Sequence, residues 1–240
     1  MNWKPLLCSL LIAVPTLADE FKSANALYDA GKFAEAAAAY AQLTPKSAHI
    51  YFNLGNAWFR QDKPGLALLN YERARRLAPR DPDILANLKF AQQRLGVDEV
   101  NTPAKPVVRF FRNAARSRTL AEWARYEVSA LWVTLLAVAG CIWRPKWRTG
   151  FVVVAVAAAL GWTAATVALV NEVTAAPEAI VLTAKAEARF APLADATVRF
   201  TAVEGTRVAI HEDRGQWLLV ERADGQQGWV PADAVTRIKE

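Results

Sequence analysis

Residues 51–79 read YFNLGNAWFRQDKPGLALLNYERARRLAP, and the way this stretch pairs two helices decides how the first third of the chain folds. It lies within residues 20–96, which read as successive helices with Ala-rich apolar periodicity. Gly55 and Ala67 are small enough for the two helices of a pair to touch, aromatic side chains fill the gap between pairs, and Pro79 closes the second helix.

Tyr51, Leu54, Gly55, Trp58, Ala67, Tyr71, Ala74 and Pro79 stand at the spacings of the tetratricopeptide (TPR) repeat, which the stretch resembles. A second copy lies upstream with Ala24, Leu27, Gly31, Phe33, Ala36 and Tyr40 in register, about three residues short at its C-terminal turn. A half-copy runs from Asp83 to Leu95, with Leu85 and Leu88 about 34 residues after Tyr51 and Leu54. Residues 19–100 are thus expected to form a TPR domain of two repeats plus a capping helix. The resemblance implies a concave groove lined by the first helix of each pair, with Asn25, Asn53, Asn56 and Asn87 at groove-facing positions. An amide both donates and accepts, so such a row can clamp an extended peptide backbone; solvated amides on an open face are the alternative. The carboxylate-clamp variant wants basic residues where this chain has Phe21 and Asp83, so recognition of a free C-terminus is not expected.

Outward from the repeats the chain turns apolar at two places. Residues 1–18 have a basic Lys4, an apolar run from Leu6 to Val14 and small residues at Thr16 and Ala18, the pattern of a secretory signal cleaved before Asp19. Val128–Trp143 and Gly150–Val170 contain no charged residue and read as transmembrane helices of about 24 and 31 Å, against a hydrocarbon core of about 30 Å. The first therefore depends on its flanks, where Trp123, Arg125, Tyr126, Arg144 and Trp147 are expected at the membrane interface. Residues 144–149, RPKWRT, form a short basic loop of the kind retained in the cytoplasm, which puts the segments before and after the hairpin on the other side. Residues 101–149 carry nine basic groups against Glu122 and Glu127, so most of the chain's positive charge borders apolar runs. That placement favours lipid headgroups over nucleic acid. Pro103 and Pro106 mark a boundary, and residues 101–127 are expected to form a basic amphipathic segment lying at the bilayer surface, broken near Ser117. Six positive charges from Lys105 to Arg125 on the exported side run against the positive-inside rule; the signal sequence and the two spans outweigh them.

From residue 176 the pattern changes to five short β-type runs: AIVLTA, ATVRFTAV, EGTRVAIHE, QWLLVERA and GQQGWVPADAVTRI. The turns at Glu204–Thr206 and Asp224–Gly225, with GQW at 215–217 and GWV at 228–230, resemble a bacterial SH3-like domain. Trp217 and Trp229 fit barrel packing, Phe190 and Phe200 are the aromatic ligand candidates, and His211–Asp213 reads as a solvated charged turn.

The fold class is therefore a multidomain membrane protein: an all-α TPR solenoid, a two-helix transmembrane hairpin and a small all-β SH3-like barrel. Cys8 and Cys141 lie in apolar runs and His49 and His211 are far apart, so no metal site, no catalytic residue and no cofactor is expected. The order of parts resembles the BatE-type proteins of bacterial aerotolerance (Bat) operons. That resemblance implies a scaffold in the periplasm, anchored in the inner membrane by two passes. Its implied partners are von Willebrand factor A-domain membrane proteins and a MoxR-type AAA+ ATPase. The alternative is an envelope module that holds peptidoglycan and recruits a cell-wall enzyme.

Overall fold

The computed structural model describes residues 16–97 and 118–239. The expected signal sequence up to Pro15 and the basic segment 98–117 lie outside the described residues. Five helices come first: α1 (Leu17–Asp29), α2 (Phe33–Gln42), α3 (Ala48–Arg60), α4 (Pro64–Leu77) and α5 (Pro82–Leu95). Their starts are set by local chemistry. Thr16 and Asp19 form a capping box at α1, Ser47 accepts from Ile50 N–H at α3, and Asp81 accepts from Asp83 and Ile84 N–H at α5. Thr16 and Leu17 precede the expected cleavage point, so α1 begins inside the segment that cleavage would remove. Gly96, at φ +67°, ends α5 in the left-handed conformation.

The helices pack as successive antiparallel neighbours. Ala24, Ala36, Ala37, Tyr40, Ile50, Leu54 and Ala57 seal α1, α2 and α3, while a Cβ on Gly55 would lie 2.6 Å from the Tyr71 ring. That close approach is why a glycine faces α4 at this point.

Two long helices follow, α6 (Leu120–Trp143) and α7 (Arg148–Thr174), joined by a 3-10 turn at Pro145–Trp147. Both pass the length and hydropathy of a membrane span. They pack through small residues: Ala137 and Ala165 are buried, and Gly140 sits under the Phe151 ring. One expectation is corrected here. Residues 120–127 are not a separate surface helix: Thr119 and Glu122 form a capping box, and α6 runs unbroken from that cap into the apolar stretch.

The C-terminal part is a single antiparallel sheet with seven strands rather than the five expected: β1 (Glu178–Val181), β2 (Lys185–Arg189), β3 (Val198–Val203), β4 (Arg207–Asp213), β5 (Trp217–Arg222), β6 (Gln227–Pro231) and β7 (Val235–Arg237). Their order is β3-β2-β6-β5-β4-β1-β7. The inward face of Ala186, Ala188, Phe200, Ala202, Val208, Ile210, Leu218, Val220 and Val230 makes its core. His211–Asp213 is not a turn but the end of β4, where a bulge after Ile210 shifts the register against β5.

The barrel does not stand apart from the helices. Ile180 of β1 and Ile238, just after β7, share one apolar cluster with Leu68 and Leu69 of α4 and Leu88 and Ala91 of α5. The helical stack and the barrel are joined by a common core although the whole hairpin separates them in sequence.

Candidate functional site

Two side-chain constellations stand out, and they lie on different sides of α4. The first is a row of amides. Asn25 Oδ1 accepts from Tyr40 Oη at 2.6 Å and from Asn53 Nδ2 at 3.2 Å. One repeat later, Asn56 Oδ1 accepts from Tyr71 Oη at 2.8 Å and from Asn87 Nδ2 at 2.9 Å. All four asparagines named from the sequence are thus brought together, as two equivalent couples. The tyrosines beneath them, each fifteen residues after its asparagine, read from the sequence only as repeat aromatics, and their part in this constellation is not legible there. Burial pushes the Tyr40 hydroxyl up to about 12 and raises Tyr71 as well, so both stay protonated donors that fix the central amides.

Each central asparagine, Asn25 and Asn56, spends its oxygen on these two donors, which leaves its NH₂ group for other partners. Each outer asparagine spends a donor inward, which leaves its oxygen. A donor beside an acceptor thus recurs in the two couples. The second couple opens on a hollow of about 210 Å³ lined by Tyr28, Asn56, Phe59, Arg60, Tyr71, Asn87 and Phe90. Phe59 and Phe90 meet at a tilt with centroids 5.3 Å apart, and Phe90 is 59% exposed, so the hollow has an apolar rim. Arg60 lies over the Phe33 ring at 4.3 Å and supplies a positive charge at the edge.

The second constellation joins α4 to the barrel. Glu72 is fully buried between Arg75, at 2.8 Å, and Arg207 of β4. Burial alone would raise its pKa, but Arg207 and then Arg75 outweigh that penalty and hold the carboxyl below the usual range. Gly65 N–H donates to Glu204 Oε1 at 3.0 Å, Arg73 donates to the carbonyls of Arg237 and Ile238, and Arg76 pairs with Glu178 at 3.0 Å.

The remaining predicted residues divide. Trp123 and Tyr126 lie in the first two turns of α6, each under the guanidinium of Arg118; Arg125 is exposed beside them, and at the other end of the hairpin Arg144 precedes the 3-10 turn and Trp147 is its last residue. Phe190 is 61% exposed, with Arg199 over its ring at 5.3 Å. Phe200 is corrected: alternation along β3 turns it into the barrel core, where it is 9% exposed and does not face a ligand. Trp229 is buried, but alternation puts it on the sheet face opposite Gly228 and Val230, where Arg214 covers its ring at 4.6 Å. Among the described residues no His, Cys, Asp and Glu group has the spacing to hold a metal ion.

Residues 186–236 match the family model described as the bacterial SH3 domain, which covers most of the seven-stranded barrel. Comparisons with curated proteins and with solved structures returned no match.

Proposed function

We propose that this chain is a non-enzymatic adaptor of the bacterial envelope, held in the inner membrane by the α6–α7 hairpin, with both soluble parts in the periplasm. In this reading α1–α5 are two TPR repeats and a capping helix, and their groove takes an extended segment of a partner protein. The observation that carries it is the repeated amide couple, Asn25 with Asn53 and Asn56 with Asn87, each locked by a buried tyrosine hydroxyl. The Bat-type resemblance points to von Willebrand factor A-domain membrane proteins and a MoxR-type ATPase system as the partners, and to oxidative or envelope stress tolerance as the setting.

Two experiments test this. Reporters active only in the periplasm, fused after Gly96, Lys146 and Glu240, should read active, inactive, active; an inactive reporter after Gly96 overturns the topology. Replacing Asn53 and Asn87 by Ala removes the outer amides and leaves the tyrosine-bound ones in place. Partner binding should weaken by about 1–3 kcal/mol with helix content unchanged, and unaltered partner recovery from cross-linked membranes would remove the couples from the site.

A second reading has its own observation. Phe190 and Leu193, 61% and 59% exposed, form an apolar tip on the β2–β3 connection, on which a glycopeptide or peptide would rest in this reading. Retention of the full chain on purified cell wall, lost in Phe190→Ala with Leu193→Ala, would favour it.

A further inference from the structure

The edge of the barrel formed by β1, β7 and the Glu204–Arg207 turn is a docking surface, and we infer that its occupant is α4 of the same copy. The helical stack is then completed only when the C-terminal domain has joined it on the same side of the membrane. This rests on the two-pass reading above.

The contacts run the whole length of α4. At its start, Lys63 makes no side-chain cap, and Glu204 of the barrel supplies the acceptor for Gly65 N–H; a carboxylate there also meets the positive end of the helix dipole. In the middle, Arg207 reaches Glu72, which has no exposure to water. At the end, Arg76 meets Glu178, and Arg73 holds the carbonyls that terminate the sheet. Between these polar points, Leu68 and Leu69 are 2% and 3% exposed against Ile180 and Ile238. Gly205, at φ +82°, forms the tip: a Cβ there would lie 2.6 Å from Leu95 Cδ1, so the turn fits α5 only as glycine.

The occupant is a helix of the same copy because both ends of the hairpin return to this body. Only residues 175–177 separate α7 from β1, a reach of about 10 Å. At the other end Arg80, beside α4, engages Glu122 in the first turn of α6. The ring of stack, hairpin and barrel closes on itself.

Chain order gives this docking a consequence. The helices are made first, and until residues 178–238 arrive α4 presents Leu68, Leu69 and a carboxylate without its barrel arginine. A copy with one span left uninserted would carry its barrel in the wrong compartment and keep that face open. The contact therefore distinguishes the correctly threaded chain from a misthreaded one.

The test uses the full chain in native membranes, with Cys8→Ser and Cys141→Ser, carrying Arg76→Cys and Glu178→Cys and treated with a short bis-maleimide. Cross-linking within single copies is expected, and Glu72→Gln or Gly205→Val should each lower its yield roughly ten-fold. Gly205→Val strains its own turn, so Glu72→Gln carries the decision if the glycine variant fails to fold. Cross-links that join two differently tagged copies, or yields unmoved by Glu72→Gln, overturn the inference. So does the absence of cross-linking in chains whose reporters read active, inactive, active. An altered reporter pattern overturns the topology itself.

Discussion

The soluble body and the hairpin bury opposite things. In the body, the large side chains Tyr40, Leu68, Ile180 and Val220 are almost fully enclosed, and even a carboxylate, Glu72, is buried with its partners. In the hairpin, small Ala137 and Ala165 are inside, while Leu136, Ile142, Val153 and Leu160 stand 62–72% exposed. Two helices of 24 and 27 residues with that arrangement would be insoluble in water. The contrast is the one expected of the membrane hairpin proposed above, in which small residues let backbones approach and large apolar ones face lipid.

The sharpest way to break that contrast is to place one charge on each region. Leu136→Arg, near the middle of the apolar stretch of α6, should cost about 3–4 kcal/mol of insertion free energy. The matched change on the body, Leu85→Arg on the outer side of α5, should stay within about 0.5 kcal/mol because Leu85 already meets water. Membrane-integrated yield of the two full-length variants measures both. Equal yields would mean that the hairpin is not in lipid.

The two regions also differ in how far the sequence alone reveals them. The hairpin is legible because a bilayer demands long uncharged runs, and the helical pairs because Gly55, Ala67 and Tyr71 are forced by contact at fixed spacing. Within the barrel, Phe200, Val220 and Val230 lie on runs with clear alternation. In contrast, β2 is not legible because KAEAR turns only two alanines inward, and β6 and β7 read as a single run because only a 3-10 turn parts them. The groove was half legible. The asparagines marked it, but Tyr40 and Tyr71 read as ordinary repeat aromatics until their hydroxyls were seen to consume half of each amide couple. The contact between body parts was not legible at all. Glu72 and Arg207 are 135 residues apart and each stands among charges that a solvated face would carry; only the folded chain shows that Glu72 is fully enclosed and Arg207 largely so.

That contact yields the next largest effect. Arg207→Met keeps most of the apolar stem but leaves Glu72 paired with Arg75 alone. Full loss of a buried partner costs about 3–5 kcal/mol, and the retained Arg75 should reduce this to about 2 kcal/mol. Thermal unfolding of the full chain in nanodiscs should show the helical and barrel signals falling together in the parent and separating in the variant. Coincident, unshifted transitions would mean that the interface contributes nothing to the coupling.

The smallest effect is on pH, and its sign follows from the direction of the Glu72 shift. A carboxyl held low by Arg207 and Arg75 against burial stabilises the folded state wherever it is ionised in both states, that is, above its ordinary unfolded value of about 4.3. The contribution is lost as pH falls from there through the lowered folded value, where the unfolded chain takes up the proton first. Glu178, close enough to oppose the ionisation, is itself paired with Arg76 and weakens the shift without reversing it. The coupling between helices and barrel should therefore be flat from pH 7 to about 5 and decline only in stronger acid. In Glu72→Gln the part of that decline due to this group should vanish. The hairpin, whose two helices meet mainly through apolar side chains, with Thr166 donating to Glu127 and Cys141 Sγ to the Arg148 carbonyl, should keep its helix signal across the same range. If acid instead loosens the hairpin before the helices and barrel separate, Glu72 is not what holds the two soluble parts together.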